Sequence, residues 1–361
     1  MKILFDLTPL CRPTKTGIPV FAERLYTALK KNPNIQVEKT FSFCEYIPTK
    51  PWKLYRVFEK LLYRQIYLPF KLYFGKYDAY IESDYMFIPL FKPRNTIIVT
   101  VIYDIALLMF QNLQTTSHNK KWERKLHKSI NYSDILLTIS KTSQEDIQTH
   151  LDQVQKNKIL DFIYADIDEP MACKEHIKIL EKFHIHNDYL LFLGTLEPRK
   201  NPLNLIKAFH KFKQRSNKDI KLVFAGKKGW LYDDVLAYID RHSLHNEIIF
   251  TGYVTDEEKA CLLKHTKAFV FLSLYEGFGI PPLEALKCGT PVLVSDIPVF
   301  HELFEHSVIY ASPQDINNIA DKIEQIINQS PLIDTRIFNK FSWSSSAEKL
   351  IKIIQKYQSG K

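Results

Sequence analysis

The segment Tyr275–Ser295 reads Y-E-G-F-G-I-P-P-L-E-A-L-K-C-G-T-P-V-L-V-S, and it concentrates groups suited to one kind of chemistry. Gly277 and Gly279 relax the backbone directly after the apolar run Ala268–Leu272. Pro281 and Pro282 suit the first turn of a helix, where a missing N–H costs nothing. The amides around Gly277, Phe278, Gly279 and Ile280, with that of Leu283, are then placed to converge on an anion at a helix N-terminus. Glu276 lies before this helix and Glu284 eight positions later. A carboxylate accepts from two vicinal hydroxyls at once, so two of them flanking a phosphate cradle suit the two ends of a nucleotide sugar. Taken alone, Glu284 reads more readily as compensation of the helix dipole. Upstream, Arg199 and Lys200 follow the strand-like run Tyr189–Leu193 and Gly194. Two cations there can neutralise a charged leaving group, or merely begin a solvated helix.

The elements that must position these groups alternate in type. Lys2–Leu7, Thr96–Val101 and Asp134–Ile139 are short aliphatic or β-branched runs, each leading into a helical pattern such as Ile18–Lys31. The series restarts after a polar bridge near Met171–Asp188, with Tyr189–Leu193, Lys221–Ala225, Glu247–Phe250, Ala268–Leu272 and Pro291–Ser295. Two βα series predict an α/β protein of two Rossmann-like domains, residues 1–170 and 171–343. A last helix, residues 344–357, suits packing on either domain. Only ten glycines occur, where ~7% usage would give about 25. Seven of them, including Gly194, sit at or near strand ends of the second series, where open α/β sheets bind ligands.

Composition narrows the class. At 361 residues with 45% hydrophobic content, the chain supports two cores without staples. Five scattered cysteines without a C-x-x-C pair argue against a disulfide framework or zinc knuckle and for a reducing, cytoplasmic compartment. The run M-K-I-L-F-D-L is too short for a signal peptide, and no apolar stretch is long enough to span a bilayer. Residues 1–165 hold 24 basic and 15 acidic residues, which accounts for the whole net charge of +9. A positive field on one half implies an anionic partner there. Residues 50–76 carry seven Lys/Arg, one acid and eight aromatics, which predicts either an interfacial helix against an anionic membrane or a domain helix with its aromatics in the core. No recognition motif for nucleic acid accompanies the charge.

Several activities are excluded. No G-x-G-x-x-G follows the first strand, so a dinucleotide oxidoreductase is disfavoured. G-x-x-x-x-G-K-[ST], H-E-x-x-H and G-x-S-x-G are absent, which removes P-loop kinases, zincins and serine hydrolases of those types.

The Tyr275–Ser295 segment resembles the E-x7-E motif of the retaining glycosyltransferases of family 4, with Glu276 and Glu284 as its acids. Tyr189–Phe209, Y-L-L-F-L-G-T-L-E-P-R-K-N-P-L-N-L-I-K-A-F, resembles the first strand and loop of that family's donor domain. The runs at 222–230 and 248–258 also fit. The resemblance implies a GT-B architecture, two domains facing a cleft, and a nucleoside-diphosphate sugar as donor with no separate cofactor and no metal. Arg199 and Lys200 would hold the diphosphate, Glu284 the ribose and Glu276 the hexose, with transfer retaining the anomeric configuration. The acceptor implied is a glycan or lipid-linked species of surface polysaccharide or lipopolysaccharide assembly, handled at the cytoplasmic face of the membrane. In the N-terminal half, T-G-I would bring the Gly17 and Ile18 amides towards the donor phosphate. Where many relatives carry His-Asp, this chain has Tyr103 and Asp104. A phenol titrating near pH ~10 is a poor base, and Asp104 either orients an acceptor hydroxyl or caps the following segment. A sugar phosphorylase or synthase of the same fold, and a non-catalytic sugar-nucleotide-binding subunit, are the alternatives.

Overall fold

The computed structural model describes residues 1–11, 17–40, 59–84, 95–110, 116–151, 158–227, 229 and 233–360. The chain forms two compact units, residues 1–166 with 340–361, and residues 167–339. The boundary falls at Asp166/Ile167, and the C-terminal segment returns to the first unit.

The first unit is built on a six-stranded parallel sheet: β1 (Lys2–Asp6), β2 (Gln36–Thr40), β3 (Ala79–Glu82), β4 (Ile97–Ile102), β5 (Ile135–Thr138) and β6 (Ile159–Phe162), in spatial order β2-β1-β3-β4-β5-β6. The central strands are continuous apolar runs because helices cover both faces; all six residues of β4 are buried. The helix Trp343–Ser359 packs here. Trp343 meets Phe21 edge-on at 5.3 Å, Ser346 Oγ donates to the Tyr164 carbonyl at 2.6 Å, and Tyr357 OH donates to Asp134 at 2.8 Å.

The chain runs outward from β1 to β2 and resumes on the other side at β3, so the order reverses between β1 and β3. At that point the Arg64 guanidinium lies between Asp6 (3.3 Å) and Glu82 (3.1 Å), all three about 1% exposed. Tyr80 OH also donates to Glu82 at 2.8 Å. Burial pushes the Glu82 carboxyl well above its ordinary value, against the pull of Arg64. Arg64 enters from a π-helical segment, Glu59–Tyr67, that runs on into the helix Leu68–Gly75.

This pair of segments covers part of the predicted interfacial stretch; residues 50–58 lie outside the described residues. Its inner side buries Tyr63, Arg64, Leu68 and Leu72. Its outer side exposes Leu62, Ile66, Tyr67, Phe70, Tyr73 and Phe74, the last two by 72% and 70%. The aromatics are thus divided, and a contiguous group of them faces outward. No described helix is long and apolar enough to cross a membrane.

The second unit has β7 (Asp188–Leu193), β8 (Ile220–Ala225), β9 (Ile248–Gly252), β10 (Ala268–Phe271), β11 (Val292–Ser295) and β12 (Ile309–Ala311), all parallel, in order β12-β11-β10-β7-β8-β9. This is the doubly wound order, with its reversal between β7 and β10. Phe192, Phe224, Phe271 and Phe300 form its aromatic spine, with ring centroids 5.2–6.1 Å apart. One expectation fails here. Cys173 and Cys261 are disulfide-bonded across 88 residues. Sequence separation hid the pair, because the fold brings the start of this unit against the helix Asp256–His265.

Candidate active site

Arg199, Lys200 and Glu276 meet at the reversal point of the second sheet. A short turn, Pro198–Lys200, follows β7, and the Leu274 amide of the loop after β10 donates to the Arg199 carbonyl at 2.8 Å. That bond sets the two loops side by side. Asn201 closes the turn with φ 60°, its side-chain amide donating to the Pro313 carbonyl at 2.6 Å. The Glu276 carboxylate then receives Arg199 Nη1 at 3.0 Å on one oxygen and Lys200 Nζ at 2.5 Å on the other. Arg199 also donates to the Tyr275 carbonyl at 2.7 Å and to Glu197 at 2.8 Å. The Lys200 ammonium lies 4.6 Å from the Phe271 ring centroid.

These groups are largely buried. Burial pushes the Glu276 carboxyl up, but the Arg199 and Lys200 charges outweigh it and bring it down to about 2. Burial lowers Lys200, offset in part by Glu276. With Glu197 paired to Arg199 the ion group is balanced in charge, and the Glu276 carboxylate is fully engaged by cations. A diphosphate entering here would find both cations already oriented, as charge stabilisation in a preorganised site requires.

Gly279 precedes the helix Ile280–Lys287, with Pro281 and Pro282 in its first turn. A side chain at Gly279 would come within 2.9 Å of the Phe300 ring. Of the expected convergent amides, that of Leu283 is spent inside the helix on the Gly279 carbonyl at 3.1 Å. The Leu283 amide is thus withdrawn from the expected cradle, and the Phe278 side chain is buried in the core.

Glu284 is the fifth residue of the helix, beyond the first turn, so dipole compensation does not explain it. Its carboxylate pairs with Lys259 at 2.6 Å. Burial raises the Glu284 carboxyl, with Lys259 pulling the other way. Lys259 and Glu197 were not singled out from the sequence. Both sit inside recognisable strings, T-D-E-E-K and L-E-P-R-K, but only the fold shows that each is an ion partner of a site residue.

Gly194 ends β7 at φ 148°, and its amide donates to the Ala225 carbonyl at 3.0 Å. Gly226 lies so close that a Cβ there would stand 2.0 Å from the Gly194 carbonyl oxygen. Close backbone packing thus requires glycine at Gly226.

Gly17, Ile18 and Asp104 belong to the first unit. Gly17 and Ile18 open the helix that follows β1. Asp104 Oδ1 accepts the Ala106 amide at 3.0 Å, a local contact two residues on that leads into the helix Ala106–Met109. Tyr103 donates to the Ser83 carbonyl at 3.0 Å and packs edge-on against Phe21, so its phenol is employed structurally. No group of three or more His, Cys, Asp or Glu side chains arranged for a metal occurs among the described residues.

The whole chain superimposes on glycosyltransferases of the GT-B class. It matches sucrose-phosphate synthase from Thermosynechococcus elongatus at a TM-score of 0.72, with 14% identity and complete coverage of both chains. The lipopolysaccharide outer core galactosyltransferase WaaB matches at 0.60, with 15% identity, covering 97% of this chain and 99% of that one. These likenesses establish two Rossmann-like domains of GT-B type.

Residues 177–354 match the model of the family Glycosyl transferases group 1, so the chain carries a group 1 glycosyltransferase domain. It is homologous to bacterial O-antigen mannosyltransferases. O-antigen chain mannosyltransferase B of Escherichia coli is 29% identical over 235 residues, 63% of this chain and 60% of that protein. O-antigen chain mannosyltransferase RfbU of Salmonella typhimurium is 31% identical over 191 residues, 53% of this chain and 50% of that protein. The chain thus spans about 60% or less of the length of these relatives.

Proposed function

We propose that this protein is a retaining, metal-independent hexosyltransferase that moves a sugar, mannose first among candidates, from a nucleoside diphosphate to a glycan or lipid-linked acceptor in surface polysaccharide assembly. The carrying observation is the Arg199–Glu276–Lys200 ion group at the reversal point of a group 1 domain. Arg199 and Lys200 hold the donor diphosphate and stabilise the charge that builds on it as the glycosidic bond breaks. The backbone of Gly279 and Ile280, at the start of the helix, contributes amide donors. Glu276 turns one oxygen to the donor hexose when phosphate draws its cations away, and Glu284 holds the ribose hydroxyls. Asp104 borders the acceptor.

The mannosyl choice follows the O-antigen relatives. A UDP and UDP-glucose complex is known for the structural neighbour HepE of Anabaena, so uridine donors belong in the test. A lipid-linked acceptor is in keeping with a Campylobacter jejuni relative named for an undecaprenol-diphosphate substrate. The outward Leu62–Phe74 face, beside the basic excess of the first half, docks the enzyme on an anionic bilayer where such acceptors lie.

The test is a thermal-shift panel of GDP, UDP, dTDP and ADP, followed by transfer from the matching sugar nucleotide with and without chelator. One diphosphate stabilising the fold above the rest, and turnover that survives chelation with an α-linked product from an α-linked donor, is the expected result. An inverted product removes the retaining mechanism, and loss of turnover on chelation removes metal independence.

A further inference from the structure

The disulfide is one of two rungs that join the same pair of segments. Cys173 lies in the chain entering the second unit, and His176 opens the helix His176–Lys182. Cys261 and His265 lie on the helix Asp256–His265. Cys173 is bonded to Cys261 with Cα atoms 5.0 Å apart, and the His176 ring stacks on His265 with centroids 4.5 Å apart and planes 13° from parallel. The spacings are C-x-x-H in the first segment and C-x-x-x-H in the second. A separation of four on a helix places Cys261 and His265 on one face, one turn apart. Four side chains of the two types that bind zinc are therefore gathered by two short segments. Cys173 and His176 are partly exposed, His265 is exposed and Cys261 is buried, so solvent reaches three of the four side chains.

We propose that these four residues form a redox-gated Cys2His2 site for a divalent transition metal, zinc in particular. In the oxidised state the two sulfurs bond to each other, and no ligand group of three or more stands assembled among the described residues. A thiol reductant supplies two electrons and two protons, cleaving the S–S bond to two thiols and leaving the reductant as its own disulfide. Metal binding then releases both protons and takes two thiolates and two neutral imidazoles. Tetrahedral bonds of about 2.3 Å to sulfur set the sulfurs about 3.8 Å apart, and bonds of about 2.0 Å to nitrogen set the ring nitrogens about 3.3 Å apart. The observed Cα separation of 5.0 Å for the cysteines and ring separation of 4.5 Å for the histidines are of the same order. Either state ties the entry segment to the helix carrying Lys259, the partner of Glu284.

Cobalt(II) titration of the chelator-stripped protein, kept reduced with a phosphine, tests this. The expected result is one equivalent bound with thiolate-to-cobalt charge transfer and tetrahedral d–d bands, displaced by zinc. Cys173→Ser and His265→Gln should each weaken binding at least tenfold, Cys288→Ser should not, and the oxidised protein should show no charge-transfer band. Absence of the band in the reduced wild type, its loss in Cys288→Ser, or unchanged affinity in His265→Gln would overturn the assignment.

Discussion

Replacing Glu276 by Gln removes the charge that Arg199 and Lys200 share while keeping shape and one acceptor. A carboxyl titrating at about 2 in the fold, against 4.5 ordinarily, holds about 3 kcal/mol of folding free energy at neutral pH. Because the folded value is depressed, that stability is present above pH 4.5 and drains away as pH falls towards 2. Urea denaturation at pH 7 should therefore show Glu276→Gln less stable by about 3 kcal/mol, with the gap closing between pH 4.5 and 2. Two buried cations left with less counter-charge should then welcome a diphosphate. The stabilisation from the cognate nucleoside diphosphate should exceed that of the wild type at equal concentration, although transfer is lost. If Glu276→Gln matches the wild type in stability across this range, the ion group is not coupled as its geometry implies. If its diphosphate response vanishes, the cations do not hold the phosphate without the carboxylate that orients them, and the assignment of roles is wrong.

Arg199→Ala and Lys200→Ala should each weaken nucleoside diphosphate binding by calorimetry and lower kcat/KM by about 100-fold or more, the scale for losing one preorganised charge stabiliser. Lys259→Met leaves the raised Glu284 carboxyl without its cation; the donor KM should rise, and denaturation should show a loss of about 1 kcal/mol, the scale for a partly exposed pair. Arg64→Met strands Asp6 and Glu82 together and should cost about 3–5 kcal/mol in urea denaturation while leaving nucleotide affinity of the folded protein within twofold. Changing Phe70, Tyr73 and Phe74 together to Ser should abolish sedimentation with anionic vesicles without lowering the melting temperature, since all three are exposed; unchanged sedimentation would remove the membrane assignment.

The strands that alternation revealed are the central ones, because burial on both faces writes an unbroken apolar run. β2 (Q-V-E-K-T) is a polar edge strand, β6 an edge strand of intermediate burial, and β12 only three residues long, so none leaves that trace. β3 has just four residues, A-Y-I-E, ending in an acid that reads as a strand terminus yet is buried against Arg64. Glu276, Arg199 and Lys200 were legible as separate strings, each explicable as ordinary surface chemistry. Their meeting was legible only through family resemblance, since 76 residues separate the cations from the acid. Asp104 has two readings from the sequence, and its bond from the Ala106 amide is compatible with either. Cys173 and Cys261 illustrate the limit most plainly, because pairing across 88 residues leaves no local pattern.

The chain crosses between its units twice, near residue 166 and near residue 340. Topologically the second unit is an insertion within the first. The contacts that complete the first unit, Ser346 to Tyr164 and Tyr357 to Asp134, span 182 and 223 residues. During vectorial synthesis the second unit is therefore finished before its host, which must wait for the helix Trp343–Ser359 to be released. Once folded, the inserted unit acts as a short bridge, so the host closes a far smaller effective loop than the sequence distance implies. Damage to the C-terminal helix should accordingly register as a fault in the half of the protein that was made first.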